Sequence, residues 1–167
     1  DVSLEELLLL SNVHSYKAPS VKFAIQAAVF DLYSQSNQQS IAQYFNKNSL
    51  DKINLNAIYH NDSKIKKENS NILKIKIRDT NILTIKENLD KILTSFPNNI
   101  KLRLDFNGRL DLSRSVRLCK ELKDYNIDYI EQPTKKIDDL YELRMISEIP
   151  IAVDESLTDY KSLENIL

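Results

Sequence analysis

Hydrophobic residues follow two periods along this chain, and the change between them falls near residue 50. Before it, apolar positions recur at helical spacing. Ser3 and Glu6 stand in capping-box spacing ahead of the leucines at 7–10, which predicts a short helix over residues 1–10. Pro19 suits the first turn of a second helix that reaches about Ser34, with Phe23, Ala24, Ala27, Ala28, Phe30 and Leu32 as its apolar face. A third short helix is predicted over residues 40–45. From Ile53 onward short apolar runs take over, and residues 53–59, 73–77, 101–106, 128–131 and 151–154 read as strands. Helical segments follow the last four of these, at 81–95, 113–125, 137–147 and from 158 to 167. The segment at 113–125 has Val116, Leu118, Cys119 and Leu122 as its buried stripe. The polar stretch 60–70 reads as a loop.

Strands that alternate with helices imply a parallel sheet. Periodicity alone leaves two α/β architectures open, an open doubly wound sheet and a closed eight-stranded barrel. A barrel usually needs about 250 residues, so this chain is either an open sheet or part of a longer protein. The pattern divides it into a helical region, residues 1–50, and an α/β region, residues 51–167.

Three of the strands end on an acid: Asp105 in Leu102-Arg103-Leu104-Asp105, Glu131 in Ile127-Asp128-Tyr129-Ile130-Glu131, and Asp154 in Ile151-Ala152-Val153-Asp154. In a parallel barrel such ends open on one rim, where catalytic groups collect. Carboxylates converging there repel one another without a cation, and oxygen-only ligands suit a hard ion such as Mg²⁺. Asn107 points the same way as Asp105 and is expected to support the metal ligands by hydrogen bonding. Glu155 is expected to point away. Lys74 and Lys76 share one strand face, where each cation depresses the other's pKa and helps one of them act as a base. Arg103, on the face of Asp105, either fills the interior against acids or orients substrate, and the structural role is preferred.

Composition narrows the partners. Net charge is −1, so no basic surplus points to nucleic acid or an anionic membrane. Nothing in it specifies an oligomeric state. The single cysteine, Cys119, allows no intrachain disulfide and fits a reducing, cytoplasmic compartment, and a buried core thiol is its expected role. The run at 7–10 is too short to span a bilayer. Gly108 is the only glycine, which excludes a glycine-rich phosphate loop and leaves asparagine to serve positive-φ turns. His14 and His60 have no metal-ligand spacing.

Lys74-Ile75-Lys76, Asp105-Phe106-Asn107, Tyr129-Ile130-Glu131-Gln132-Pro133 and Val153-Asp154-Glu155-Ser156 resemble, in order and spacing, the strand-end signatures of the enolase superfamily. Within it they are similar to the muconate-lactonising branch and its o-succinylbenzoate synthases of menaquinone biosynthesis. Residues 19–32 resemble the helix that closes the family's capping domain. The resemblance implies a partial TIM-type (β/α) barrel, strands one to five, preceded by helices of that domain. A capping sheet would precede Asp1, and strands six to eight, with a further lysine, would follow Leu167.

The resemblance also implies roles. Lys76 would be the acid/base catalyst, Lys74 would tune it and contact the substrate carboxylate, and Asp105, Glu131 and Asp154 would hold Mg²⁺, with Mn²⁺ as the alternative ion. The implied reaction is a lyase step on a small-molecule carboxylate. It dehydrates 2-succinyl-6-hydroxy-2,4-cyclohexadiene-1-carboxylate to 2-succinylbenzoate through an enediolate. The alternatives are an N-acylamino acid racemase or dipeptide epimerase of the same superfamily, and a non-catalytic homologue with a structural or binding role. Taken singly, the lysines read as a solvated strand end, Asp105 as a turn residue, and Glu131 and Asp154 as helix caps. Together, in successive units, they argue for the working site.

Overall fold

Capping decides where the first helices begin. Ser3 N–H donates to Glu6 Oε2 at 2.8 Å and Glu6 N–H donates to Ser3 Oγ at 3.2 Å. Helix α1 (Leu4–His14) follows and runs past the expected end at residue 10. Helix α2 (Pro19–Ser36) opens on its proline. Helix α3 (Ile41–Phe45) starts at a second capping box, Ser40 with Gln43. Phe30 and Tyr33 of α2 meet Tyr44 and Phe45 of α3 with ring centroids 5.0–5.6 Å apart. The expected apolar face of α2 is not buried: Phe23 is 75% and Leu32 64% exposed. Helices α1 and α3 are the elements of this unit that pack on α2, and neither covers them.

The computed structural model describes residues 2–14, 17–59 and 70–158. The chain divides into two compact units, Asp1–Ile53 and Asn54–Leu167. The loop predicted over 60–70 lies outside the described residues except for Ser70, as does His60. So does all but the first residue of the helix predicted over 158–167. Among the described residues no helix is long and apolar enough to cross a membrane.

The second unit is a five-stranded parallel sheet: β1 (Ala57–Tyr59), β2 (Ile72–Lys76), β3 (Lys101–Asp105), β4 (Ile127–Glu131) and β5 (Ile151–Ala152). The strands stand in sequence order, β1-β2-β3-β4-β5. A doubly wound sheet reverses order at a switch point. This one does not, and it has the strand order of a barrel segment. Helices α4 (Ile82–Leu93), α5 (Leu112–Glu121) and α6 (Ile137–Ile146) follow β2, β3 and β4. Asn81 Oδ1 caps α4 by accepting from Leu83 N–H at 2.9 Å, and Asp111 caps α5 by accepting from Arg114 N–H at 2.8 Å.

Alternation gives the sheet two different faces. Leu73, Ile75 and Ile77, then Leu102, Leu104 and Phe106, then Ile130 are buried in one core with Ile85 and Leu89 of α4, Leu118 of α5 and Leu143 of α6. The opposite face carries Lys74, Lys76, Arg103, Asp105, Tyr129 and Glu131. Register lines these up in two rows, Lys74–Arg103–Tyr129 and Lys76–Asp105–Glu131. An irregularity between Leu102 and Arg103 sets the second row: Ile127 pairs with Leu102 but Tyr129 with Arg103, leaving Asp128 as the extra residue.

Three strands are shorter than expected, β3 by a single residue and β1 and β5 by more. Strand β1 pairs only from Ala57, opposite Leu73, so Ile53 and Leu55 stay 76% and 75% exposed. Strand β5 ends at Ala152 because the N–H of Asp154 turns to a side chain, Gln132 Oε1, at 2.8 Å. Cys119 is a core thiol, as expected. It is 6% exposed, burial raises its pKa, and it lines a cavity of about 330 Å³ with Val116, Leu143 and Ile146.

Phe106, directly after β3, is wholly buried. Phe106→Ala should lower the free energy of unfolding by about 3–5 kcal/mol. The check is urea denaturation, read as a lower midpoint at unchanged slope.

Candidate active site

The row Lys76–Asp105–Glu131 sits at the C-terminal ends of β2, β3 and β4. Asp105 and Glu131 are directly paired and only 6% and 8% exposed. Two adjacent buried carboxylates need a counter-charge, and Lys74 supplies it from one row below. Its Nζ donates to both oxygens of Glu131 at 2.8 Å and lies 3.2 Å from Asp105 Oδ2. Burial lowers the pKa of Lys74, but the hydrogen bonds and charges of Glu131 and Asp105 outweigh it, and the net shift is upward. The expected depression of Lys74 by Lys76 is therefore not what the structure shows. The ammonium lies between two anions. Lys76 ends β2 with its side chain exposed.

The third acid stands apart. Asp154 is exposed, two residues beyond the end of β5, and the residue paired with Glu131 there is Ala152. Among the described residues no three His, Cys, Asp or Glu side chains gather into a ready metal site. The structure thus brings Asp105 and Glu131 together and leaves Asp154 on the following turn. The donor set still fits a hard divalent cation, because it is all oxygen and two of its members already close on one positive charge.

Asn107 reaches Asp105 through its main chain: its N–H donates to Asp105 Oδ1 at 3.1 Å. Its side-chain Nδ2 donates instead to Glu155 Oε1, the acid expected to point away. Strand alternation does not extend to Glu155, because the chain has already left β5. Asn107 has φ +46° and the sole glycine, Gly108, φ +68°, so the turn after β3 is built from both, the asparagine in the kind of positive-φ position expected of asparagines in this chain. Arg103 takes the structural role. Its Nε donates to Asp128 Oδ2 and its Nη1 to Asn56 Oδ1, both at 2.9 Å, and its Cζ lies 4.9 Å over the Tyr129 ring.

Sequence reasoning quoted Gln132 within a motif but gave it no role. It is 1% exposed and has φ +43°, a strained conformation for a non-glycine residue that costs about 1–3 kcal/mol. Its side chain binds the turn that carries Asp154. The available signal was an amide placed directly after a strand-end acid.

Lys74→Met removes the cation between Asp105 and Glu131. The variant should lose about 1–3 kcal/mol of stability without divalent ions, less than for a fully buried pair because Lys74 is a quarter exposed. Melts in chelator and in excess Mg²⁺ check this, and Mg²⁺ should stabilise the variant more than the unsubstituted protein.

Comparison with known proteins agrees with this geometry. The family described as Enolase C-terminal domain-like matches residues 62–167. The o-succinylbenzoate synthase of Thermobifida fusca is 39% identical over 57 residues, which are 34% of this chain and 18% of that protein. The o-succinylbenzoate synthase of Thermosynechococcus elongatus BP-1, solved with Mg in its active site, superposes with a TM-score of 0.50 at 28% identity, covering 57% of this chain and 31% of that one. A dipeptide epimerase from Enterococcus faecalis V583 superposes with a TM-score of 0.77 at 27% identity, covering 96% of this chain and 49% of that one. The chain thus spans half or less of these relatives' length. By family match, strand order and rim chemistry, this chain belongs to the enolase C-terminal domain-like family of enzymes.

Proposed function

We propose that the complete protein abstracts a proton beside a substrate carboxylate, and that its reaction is the dehydration of 2-succinyl-6-hydroxy-2,4-cyclohexadiene-1-carboxylate to 2-succinylbenzoate. The observation that carries this reading is the pair of buried, adjacent acids Asp105 and Glu131, with two lysines on the same sheet face. Asp105, Glu131 and Asp154 would hold Mg²⁺ or Mn²⁺. When bound, the ion supplies Lewis-acid stabilisation of the negative charge that develops on the substrate carboxylate. Lys76 is exposed at the rim and takes the proton from carbon. It then returns that proton to the departing hydroxide, so water leaves and the ring becomes aromatic. Lys74 provides a fixed positive charge beside the acids, and Asn107 holds Asp105 through its main-chain N–H. The partner is a small carboxylate, and a cytoplasmic setting suits the free thiol of Cys119.

Dipeptide epimerisation is the second reading. It is favoured by the Enterococcus faecalis enzyme, whose likeness extends over 96% of this chain against 57% for the Thermosynechococcus elongatus synthase. It needs a second base on the opposite face of the reacting carbon. Assaying the complete protein on the cyclohexadiene substrate, by loss of absorbance, and on L,L-dipeptides, by deuterium uptake from solvent, separates the two.

Lys76→Ala should reduce turnover by at least about 10²–10⁴-fold while divalent binding, measured by calorimetry, persists. Lys76→Arg should fail as well, since a guanidinium stays protonated. Turnover within a few-fold of the unsubstituted protein would remove Lys76 from catalysis. Separately, Asp105→Ala should abolish the divalent site in calorimetry, and unchanged affinity would refute the ligand assignment.

A further inference from the structure

Gln132 connects the three loops that follow β3, β4 and β5. Its main-chain oxygen accepts from Gly108 N–H at 2.6 Å, and its N–H donates to Ala152 O at 2.9 Å. Its side-chain Oε1 accepts from Asp154 N–H at 2.8 Å and Ser156 N–H at 3.3 Å. Its Nε2 donates to Thr134 O at 2.8 Å and to Ser156 Oγ. Every polar group of this buried residue is therefore used, and a fully satisfied buried amide is a rigid joint. The Asp154 turn otherwise closes on itself through Leu157 N–H to Asp154 O, and reaches its neighbours through Ser156 Oγ to Lys135 O and through Glu155 to Asn107. The bond from Gln132 acts on the main chain of Asp154 itself, the one proposed ligand that no strand holds.

We infer that Gln132 is a positioning residue. It fixes the Asp154 turn at the rim so that the Asp154 carboxylate can join Asp105 and Glu131 on a divalent cation. It touches neither substrate nor ion and acts through Asp154. The inference rests on the metal-site reading above. In its absence the same acids remain, but the third is no longer held in place, and ordering it must come out of the binding free energy.

The test is Mn²⁺ and Mg²⁺ calorimetry on the complete protein, comparing the unsubstituted chain with Gln132→Met, Asp154→Ala and the double variant. Gln132→Met keeps the side-chain length and loses the hydrogen bonds. It should weaken binding about 10–100-fold, as loss of groups that orient metal ligands does. The double variant should bind no more weakly than Asp154→Ala alone, because Gln132 acts only through that residue. If Asp154→Ala leaves affinity unchanged, the metal-site reading fails and the inference with it. If Asp154→Ala weakens binding and Gln132→Met does not, or if the two effects add, the positioning role alone is overturned. Should Gln132→Met not fold, amide hydrogen exchange on the unsubstituted, metal-free protein decides. The Asp154 and Ser156 amides should be protected, and exchange at the rate of an open loop would overturn the inference.

Discussion

The Lys74 ammonium between Asp105 and Glu131 is the interaction on which the inner face of the sheet depends. Parallel sheets are ordinarily apolar on both faces, and this one is not. Its core face holds Leu73, Ile75, Leu102, Leu104 and Ile130, while the other face holds ionised groups in neighbouring rows. Without Lys74 in register one row below, the two acids would stand buried side by side with only mutual repulsion. A one-residue slip of β2 against β3 would exchange the faces, putting Lys74 into the core and Leu73 at the rim. Charge pairing and hydrophobic burial therefore select the same register.

That coupling explains how much could be read from the chain. Strand and helix positions were legible because alternation and helical period are local signals. The acids at the ends of β3 and β4 were legible because a buried face must end where the rim begins. The pairing of Lys74 was not legible, since it depends on the irregularity at Leu102 and Arg103, which leaves Asp128 out of step and brings Glu131 beside Asp105. No local pattern announces it. Strand ends also depend on partners. Residues 53–56 alternate well but have no paired strand beside them among the described residues, and β5 stops where Gln132 takes the Asp154 amide. Asp154 was thus identified as an acid of the rim from its motif, while its place on a turn had to come from the structure.

The two rows of the inner face have separate tasks. In the lower row Arg103 is paired with Asp128, Asn56 and Tyr129 and forms a polar floor, while Lys74 of the same row serves the acids above. The upper row keeps an exposed lysine, Lys76, and two acids whose counter-ion, Lys74, reaches up from the lower row. A floor whose arginine is held on three sides supports the rim groups above it, as a site that binds a charged ligand requires.

The cavity at Cys119 has a practical consequence. This thiol is the only one in the chain, and it lies 6% exposed in an open pocket between α5 and α6, on the far side of the sheet from the charged rows. A thiol-reactive dye in that pocket meets a thiol that is mostly covered, so its labelling would speed up when those helices part and would time the opening of the outer helical layer. Because the sheet lies between, that clock runs on a probe the rim chemistry does not touch, and no added cysteine is needed to install it.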